Sequence, residues 1–172
     1  MNIFWLSVCI AECARMLCDQ HVVKMCTEAA QLSYTALRTR YDEKILRGEC
    51  TEEERDAFFA SAPLVVSKSG EERRGFKPTH VNHPLAVWSR ESYANLRATV
   101  DMCVAICEEY THRFGKVHAT QKHAAWLSKH ISEGPLDYQP ESSDSEKMSA
   151  PPLCIPDEYQ CQGDLIASYR LY

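Results

Sequence analysis

A histidine, a lysine and a glutamate lie at helical spacing in an otherwise apolar stretch of the chain. His21 precedes Lys24 by three residues and Glu28 by seven, so a helix places all three on one face. The imidazole can exchange a proton near neutral pH, the amine can act as a nucleophile, and the carboxylate can stabilise a cation. Two interpretations stand: a catalytic or ligand-binding face, or an internal network of salt bridges and hydrogen bonds.

A second group of polar residues lies in the segment KPTHVNHP, residues 77–84. Prolines at both ends restrict its backbone and keep His80, Asn82 and His83 close together. We interpret the segment as a polar active-site loop, or alternatively as a structural one in which His83 caps the next helix. Neutral imidazoles also bind zinc, and an alternative zinc or other divalent-metal site would use four histidines: His21, His80, His83 and His118.

Charged residues near the ends of a predicted third helix are candidates for phosphate contacts. Arg90 and Glu91 stand near its start, where an arginine is poorly placed for the helix dipole and is expected to have another partner, a phosphate or Glu28. At its far end the dipole favours cations, and a guanidinium fits a phosphate well. That end carries a basic group of three residues: Arg113, Lys116 and His118.

The composition is that of one folded domain, residues 1–172. Of the 172 residues, 45% are hydrophobic and 25% charged, and no uncharged apolar stretch is long enough to cross a membrane. The first residues lack the basic region of a signal peptide, so we expect an intracellular protein that is not secreted. The net charge of -5 excludes a generally basic nucleic-acid binder. Residues 60–130 nevertheless hold ten Lys and Arg against six Asp and Glu, so a local basic face can still meet DNA.

Nine cysteines without a C-x-x-C pair argue against a zinc ribbon and a thioredoxin-like site. The pairs Cys9/Cys13 and Cys103/Cys107 are each four residues apart, which fits one helix face. We interpret them as buried core residues, with a structural metal site as the alternative. The sequence contains no glycine pattern of a phosphate-binding loop. It also lacks the G-x-S-x-G motif of serine hydrolases and the H-E-x-x-H motif of zinc proteases.

The apolar periodicity predicts an all-α fold, a compact single-domain helical bundle with an extended N-terminus and long Pro-rich loops. A long first helix is predicted from about residue 10 to 46, and a capping box at Thr51 and Glu54 opens a second. Further helices are predicted at 85–113, ending before Gly115, at 117–132 and at 164–172. The segment 133–160 is predicted to be irregular and partly mobile.

Five sequence strings, taken together, resemble a family of small proteins of phages and large DNA viruses: MNIF, CDQHVVKM, KPTHVNHP, W-x-R-E-S and EYTHRFGKVH. The resemblance covers about residues 1–120. Through Asp19-Gln20-His21 and the later Glu28, with Pro78-Thr79 and His83, that family is in turn similar to pyrimidine-dimer DNA glycosylases of the endonuclease V type. These are compact all-α enzymes.

The resemblance implies that Glu28 is the catalytic carboxylate in cleavage of an N-glycosidic bond. It also implies a free N-terminal amine that attacks the sugar and forms an imine, which here would belong to Met1, with Lys24 as a substitute. The arginine that precedes the family carboxylate is Thr27 here, a departure from the family that bears on the strand-cleaving lyase step. Relatives continue past the last motif with an aromatic and basic tail, whereas this chain stops at Tyr172, so weaker binding of DNA is expected.

Three hypotheses follow. The first is a DNA glycosylase-like enzyme, without a cofactor, acting on a damaged or modified pyrimidine, with Glu28, His21, Lys24 and Met1 in catalysis. Its DNA-binding residues would be His80, Asn82, His83, Arg90, Glu91, Arg113, Lys116 and His118. The second is a metal-dependent hydrolase or nucleotide-modifying enzyme built on the four histidines. The third is a non-catalytic helical interaction module, favoured by the acidic ends and by cysteines expected to be exposed. The sequence leaves the oligomeric state open.

Overall fold

The computed structural model describes residues 2–67, 69–135 and 147–172. In these ranges the chain forms seven α-helices: α1 (Ile10–Met16), α2 (Asp19–Leu46), α3 (Glu52–Phe59), α4 (Pro84–Glu91), α5 (Tyr93–Phe114), α6 (Gln121–His130) and α7 (Leu165–Leu171). Two short antiparallel strands, β1 (Leu64–Val66) and β2 (Glu72–Arg74), form a hairpin. The all-α prediction is confirmed except for this hairpin, which the sequence pattern does not indicate. None of the helices described is long and apolar enough to span a bilayer.

Helix α2 is the central element of the fold. It packs against α5 on one side and against α4 and α6 on others. Ala29, Ala30 and Leu32 are completely buried along it. Glu28 directly precedes these residues and is partly exposed, so α2 carries the carboxylate at the boundary between core and surface.

The first predicted helix is interrupted, although neither glycine nor proline marks the position. Leu17 and Cys18 adopt extended backbone conformations between α1 and α2. Arg113 of α5 donates to the carbonyl oxygens of Arg15 and Leu17 at 2.8 and 2.7 Å, and to the Asp19 carboxylate at 2.9 Å. The guanidinium thereby satisfies carbonyl groups that the end of α1 leaves without helical partners. The prediction of one continuous helix is wrong because this distant side chain stabilises the break.

The third predicted helix is also two helices, α4 and α5. Ser92 separates them in an extended conformation, and its hydroxyl accepts a hydrogen bond from the Asn95 amide at 3.1 Å. A serine N-cap is a local signal, but the apolar periodicity that continues across it hides the boundary. The fourth predicted helix is shorter than 117–132, since α6 begins at Gln121 and a single 3-10 turn follows it at Ile131–Glu133.

The predicted end signals of two helices and the existence of a third helix are confirmed. Thr51 and Glu54 form both hydrogen bonds of a capping box at the start of α3. Gly115 ends α5 with a φ of 63°, the left-handed conformation that glycine adopts without a Cβ penalty. The final helix predicted at 164–172 is α7, and the Asp164 carboxylate accepts from the amide of Ala167 at its start.

The segment 133–160 is only partly described, because residues 136–146 lie outside the described residues. Past them, Ser149 is attached to the helices: its hydroxyl accepts from the Trp88 indole at 3.0 Å and from the Asn95 side-chain amide at 2.9 Å. This stretch is therefore fixed against α4 and α5. The predicted mobility of residues 136–146 remains a prediction.

The described cysteines are free thiols, and most are at least partly buried. Cys13, Cys103 and Cys107 are completely buried, as the core interpretation predicts, whereas Cys9 is exposed. Cys18 is the other exposed cysteine. The expectation of many exposed cysteines, which favoured an interaction module, is therefore wrong.

His123 makes the stability of the fold dependent on pH. It lies on α6 with 2% exposure, and its Nδ1 is 3.2 Å from the Tyr34 hydroxyl. Burial lowers the pKa of His123 to about 4, from 6.5 in an exposed histidine. Between these pH values the unfolded chain binds a proton that the folded chain does not. Stability is therefore complete above pH 6.5 and falls as the pH drops toward 4, by about 2 kcal/mol at pH 5.

We expect urea denaturation at pH 7.5 and pH 5 to show this loss in the wild type and a smaller loss in His123→Gln. His112→Gln, at an exposed position on α5, is the control and should keep the wild-type pH dependence. An unchanged pH dependence in His123→Gln would assign the effect to other groups.

Candidate active site

The Glu28 carboxylate lies where α2 meets the N-terminal segment. Its Oε2 accepts a hydrogen bond from the backbone amide of Asn2 at 3.2 Å, and its Oε1 lies 3.1 Å from Lys24 Nζ. The Glu28 side chain is 15% exposed, and that of Lys24 is 66% exposed. The carboxylate is therefore oriented by the fold, in a side chain that is only partly exposed. Met1, the other predicted amine, lies outside the described residues.

His83 lies near Glu28 at the start of α4, close enough for the carboxylate to act on its charge. Its Nδ1 accepts from the Leu85 amide at 3.2 Å, so the ring caps the helix as one interpretation of the sequence predicts. Burial lowers the pKa of His83 below its usual value. At neutral pH the ring is uncharged and, with Nδ1 as acceptor, carries its proton on Nε2. It can therefore donate one hydrogen bond beside the carboxylate without adding a positive charge.

The loop of residues 77–83 is held against α2. Thr35, seven residues after Glu28, accepts from the Thr79 amide at 3.1 Å and donates to the Thr79 carbonyl at 3.3 Å. His80 has a φ of 50° and, within the described ranges, stands alone among non-glycine residues in having a positive φ. Such a conformation costs free energy and persists where surrounding contacts impose it, often at functional sites. The loop is thus a rigid part of the site.

His21 is placed by an aromatic stack rather than by an ion pair. Its ring lies parallel to Phe4, with centroids 4.6 Å apart and planes 15° apart. Tyr172 stacks over Phe4 at a longer distance of 6.2 Å. The His21 face of α2 therefore packs against the N-terminal segment and against the end of α7.

Helix α7 fixes the residue that holds the Glu28 carboxylate. The Tyr169 hydroxyl donates to Asn2 Oδ1 at 3.1 Å, and the Asn2 side-chain amide donates to the Cys154 carbonyl at 3.1 Å. Burial raises the pKa of Tyr169 to about 12, so the hydroxyl keeps its proton and remains a donor. Asn2, Tyr169 and Thr35 are not among the site residues predicted from the sequence. No local pattern marks them, since each acts across a long sequence separation.

Loss of the Tyr169 hydroxyl should slow any reaction that depends on Glu28. Tyr169→Phe removes one hydrogen bond to Asn2, worth about 1 kcal/mol, so we expect kcat to fall about fivefold with KM unchanged. Steady-state kinetics on the proposed DNA substrate measure both values. Tyr41→Phe, at a buried tyrosine near the other end of α2, is the matched control. A change in KM alone would place Tyr169 in binding rather than in positioning.

Two predicted phosphate-binding arginines have protein partners in the structure. Arg90 donates to the Val81 carbonyl at 2.6 Å and lies 3.7 Å from a Glu43 oxygen, so its acidic partner is not Glu28. Arg113 binds the junction of α1 and α2, as described above. Both arginines thereby position backbone segments. Of the other predicted contacts, Asn82, Glu91 and Lys116 are exposed, and His118 is half-buried in the connection between α5 and α6.

The four-histidine metal site is not formed by the described residues. His80 and His83 are near neighbours and influence each other's charge. His118 instead lies with two buried thiols, Cys26 and Cys107, in the sole group of three or more ligand atoms found among the residues described. Of the predicted site residues, Lys24 contacts Glu28 directly, and the charge of Glu28 acts on His83.

Comparison of the sequence with known proteins identifies a family that includes this chain. The sequence model described as pyrimidine dimer DNA glycosylase matches residues 1–123, which include Glu28, the loop of residues 77–83 and the basic end of α5. No curated protein and no solved structure matches the chain. The match confirms the resemblance noted in the sequence and extends over well more than half of the 172 residues. The chain therefore belongs to the pyrimidine dimer DNA glycosylase family.

Proposed function

We propose that this protein cleaves the N-glycosidic bond of a damaged pyrimidine in DNA, with Glu28 as the essential carboxylate. The observation that carries the proposal is the orientation of Glu28, held by the Asn2 amide at 3.2 Å and by Lys24 at 3.1 Å in a largely buried position. Cleavage of this bond leaves positive charge on the sugar. A fixed anion in a partly desolvated site stabilises that charge more strongly than water does.

His83 is suited to assist Glu28 as a neutral hydrogen-bond donor. A second cation beside the carboxylate would compete with the cationic sugar, and the lowered pKa of His83 avoids this. His80, on the same rigid loop, is exposed and can contact a nucleotide that has left the helical stack. His21 contributes by fixing α2 against Phe4.

A lyase step would need an amine close to the sugar, and two candidates exist. Lys24 Nζ is 3.1 Å from Glu28 and largely exposed. If the mature chain starts at Met1, three covalent bonds connect its amine to the Asn2 amide, which itself contacts Glu28. Either amine would attack C1′ and release water to form an imine, and elimination of the 3′ phosphate would then break the strand.

Contacts to the DNA backbone are expected from exposed basic residues near the loop of residues 77–83. A groove beside this loop is lined by the exposed Arg74 and Lys77 and by a half-buried Arg73 that pairs with Glu71. Lys116 is exposed just past the end of α5. Such contacts release counterions, so the affinity should fall steeply with salt. Together these basic residues would give the DNA-binding surface a local positive charge, although the net charge of the chain is -5.

Incubation with a duplex that contains a single cyclobutane pyrimidine dimer tests the proposal. We expect formation of an abasic product from this duplex and none from the undamaged duplex. Borohydride trapping then reports the imine, and trapping that persists in Lys24→Ala assigns it to the N-terminal amine. Absence of the abasic product, together with absence of DNA binding at low salt, would contradict the proposal and favour a non-catalytic role.

A further inference from the structure

We propose that Cys26, Cys107 and His118 bind one zinc ion, at a site separate from the glycosidic chemistry of Glu28. One ligand atom from each residue lies within 4.8 Å of the other two. The three residues come from α2, from α5 and from the connection between α5 and α6. Two thiolates and an imidazole nitrogen are the ligand types that Zn²⁺ prefers in proteins.

The surroundings of the two cysteines favour a closed site. Cys26 and Cys107 are both completely buried, and the Cys26 thiol donates to the Val22 carbonyl at 3.3 Å. Cys103, one turn before Cys107, is also completely buried and donates to the Cys26 carbonyl at 3.5 Å. A third sulfur therefore lies beside the proposed ligands. Core packing by itself accounts for buried thiols, but it does not account for a histidine brought onto them from a separate segment.

The orientation of His118 is fixed by its neighbours. Its Nδ1 accepts from the Thr120 amide at 3.1 Å. Tyr110 packs edge-on against the ring at 4.8 Å between centroids. A metal bound through the other ring nitrogen would leave the Thr120 hydrogen bond to keep the imidazole oriented, as partners of metal-bound histidines usually do.

Binding exchanges protons for metal. Two S–H bonds break, two zinc–thiolate bonds form, and both protons pass to solvent, while the imidazole binds in its neutral form. The ion would join α2 to α5 and to the start of α6, where Thr27 and Thr120 already meet at 3.2 Å. Cys26 is two residues from Glu28. The site would therefore brace the part of α2 that carries the carboxylate.

Titration with Co²⁺ tests the site in the full-length chain. The background is Cys9→Ser/Cys18→Ser, because these two exposed thiols would otherwise bind cobalt non-specifically. We expect one Co²⁺ per chain, with the thiolate charge-transfer absorption and the d–d bands of tetrahedral cobalt, and loss of both on addition of Zn²⁺. Zinc should also raise the melting temperature.

Variants of the cluster distinguish this site from ordinary core cysteines. In Cys26→Ala we expect the thiolate absorption to decrease, the cobalt affinity to fall at least tenfold, and the melting temperature to stop responding to zinc. Cys13→Ala, at a buried thiol outside the cluster, should keep all three properties. His118→Ala changes a half-buried loop residue and provides the same comparison if Cys26→Ala does not fold. Cobalt spectra that are identical in the parent and both cluster variants, or a parent without thiolate absorption, would overturn the proposal.

Discussion

Replacing Glu28 with glutamine should lower the rate of N-glycosidic bond cleavage in dimer-containing DNA by about 100- to 1000-fold. Glutamine keeps the shape of the side chain but removes the negative charge that faces the developing cation. Loss of one preorganised electrostatic group in an active site typically has an effect of this size. The contact with the Asn2 amide, at 3.2 Å in the wild type, can be kept by the amide oxygen, so the fold and the binding of DNA should change little.

Single-turnover assays on the dimer-containing duplex measure this rate, and electrophoretic mobility shifts measure binding separately. Glu53→Gln is the matched control, because it removes the same charge from an exposed position on α3 and should leave the rate unchanged. If Glu28→Gln cleaves the N-glycosidic bond at a rate within twofold of the wild type, the carboxylate has no part in the mechanism. Equal losses of binding and rate would instead assign Glu28 to DNA recognition.

Alanine at Gly75 should destabilise the fold by about 3–4 kcal/mol. Gly75 follows β2 with a φ of 67°, and a Cβ there would lie 2.2 Å from Cε1 of Tyr34. Tyr34 is completely buried and stacks on Trp126 with centroids 5.6 Å apart, so it cannot move aside without disturbing the core. The steric overlap adds to the cost of a left-handed backbone in a residue with a side chain, about 1–2 kcal/mol.

Gly70→Ala separates these two contributions. Gly70 also has a positive φ, of 84°, but a Cβ there meets nothing within 4 Å. We expect it to cost only the backbone part, about 1 kcal/mol. Urea denaturation of both variants gives the difference, and equal losses would show that the contact with Tyr34 is relieved cheaply. Because Gly75 leads into the loop of residues 77–83, Gly75→Ala should also slow cleavage of the N-glycosidic bond.

Several features of this protein follow from residues that are near one another in the chain. The helical repeat places His21, Lys24 and Glu28 on one face of α2. In the structure, Lys24 Nζ lies 3.1 Å from Glu28 Oε1 on that face. The capping box at Thr51 and the C-terminal Gly115 depend on the few residues around each helix end. The family resemblance likewise rests on short strings, and the match over residues 1–123 confirms it.

Helix breaks and the surroundings of the candidate site depend on packing instead. The break between α1 and α2 at Leu17 is stabilised by Arg113, 96 residues away. No sequence pattern near residue 17 predicts this break. Tyr169 reaches Asn2 across 167 residues, although the family match ends at residue 123. The division into a single domain over residues 1–172 remains a prediction.

The sequence by itself determined which groups could do chemistry and on which face of α2 they stand. Only the tertiary structure decided which partners these groups contact: Glu28 contacts Asn2, Arg90 contacts Val81, and His118 lies with two thiols rather than with the other histidines. The reason is physical. Helical spacing and capping depend on hydrogen bonds between residues a few positions apart. The contacts between distant residues depend instead on how α2, α4, α5 and α7 pack, and this packing involves the whole chain.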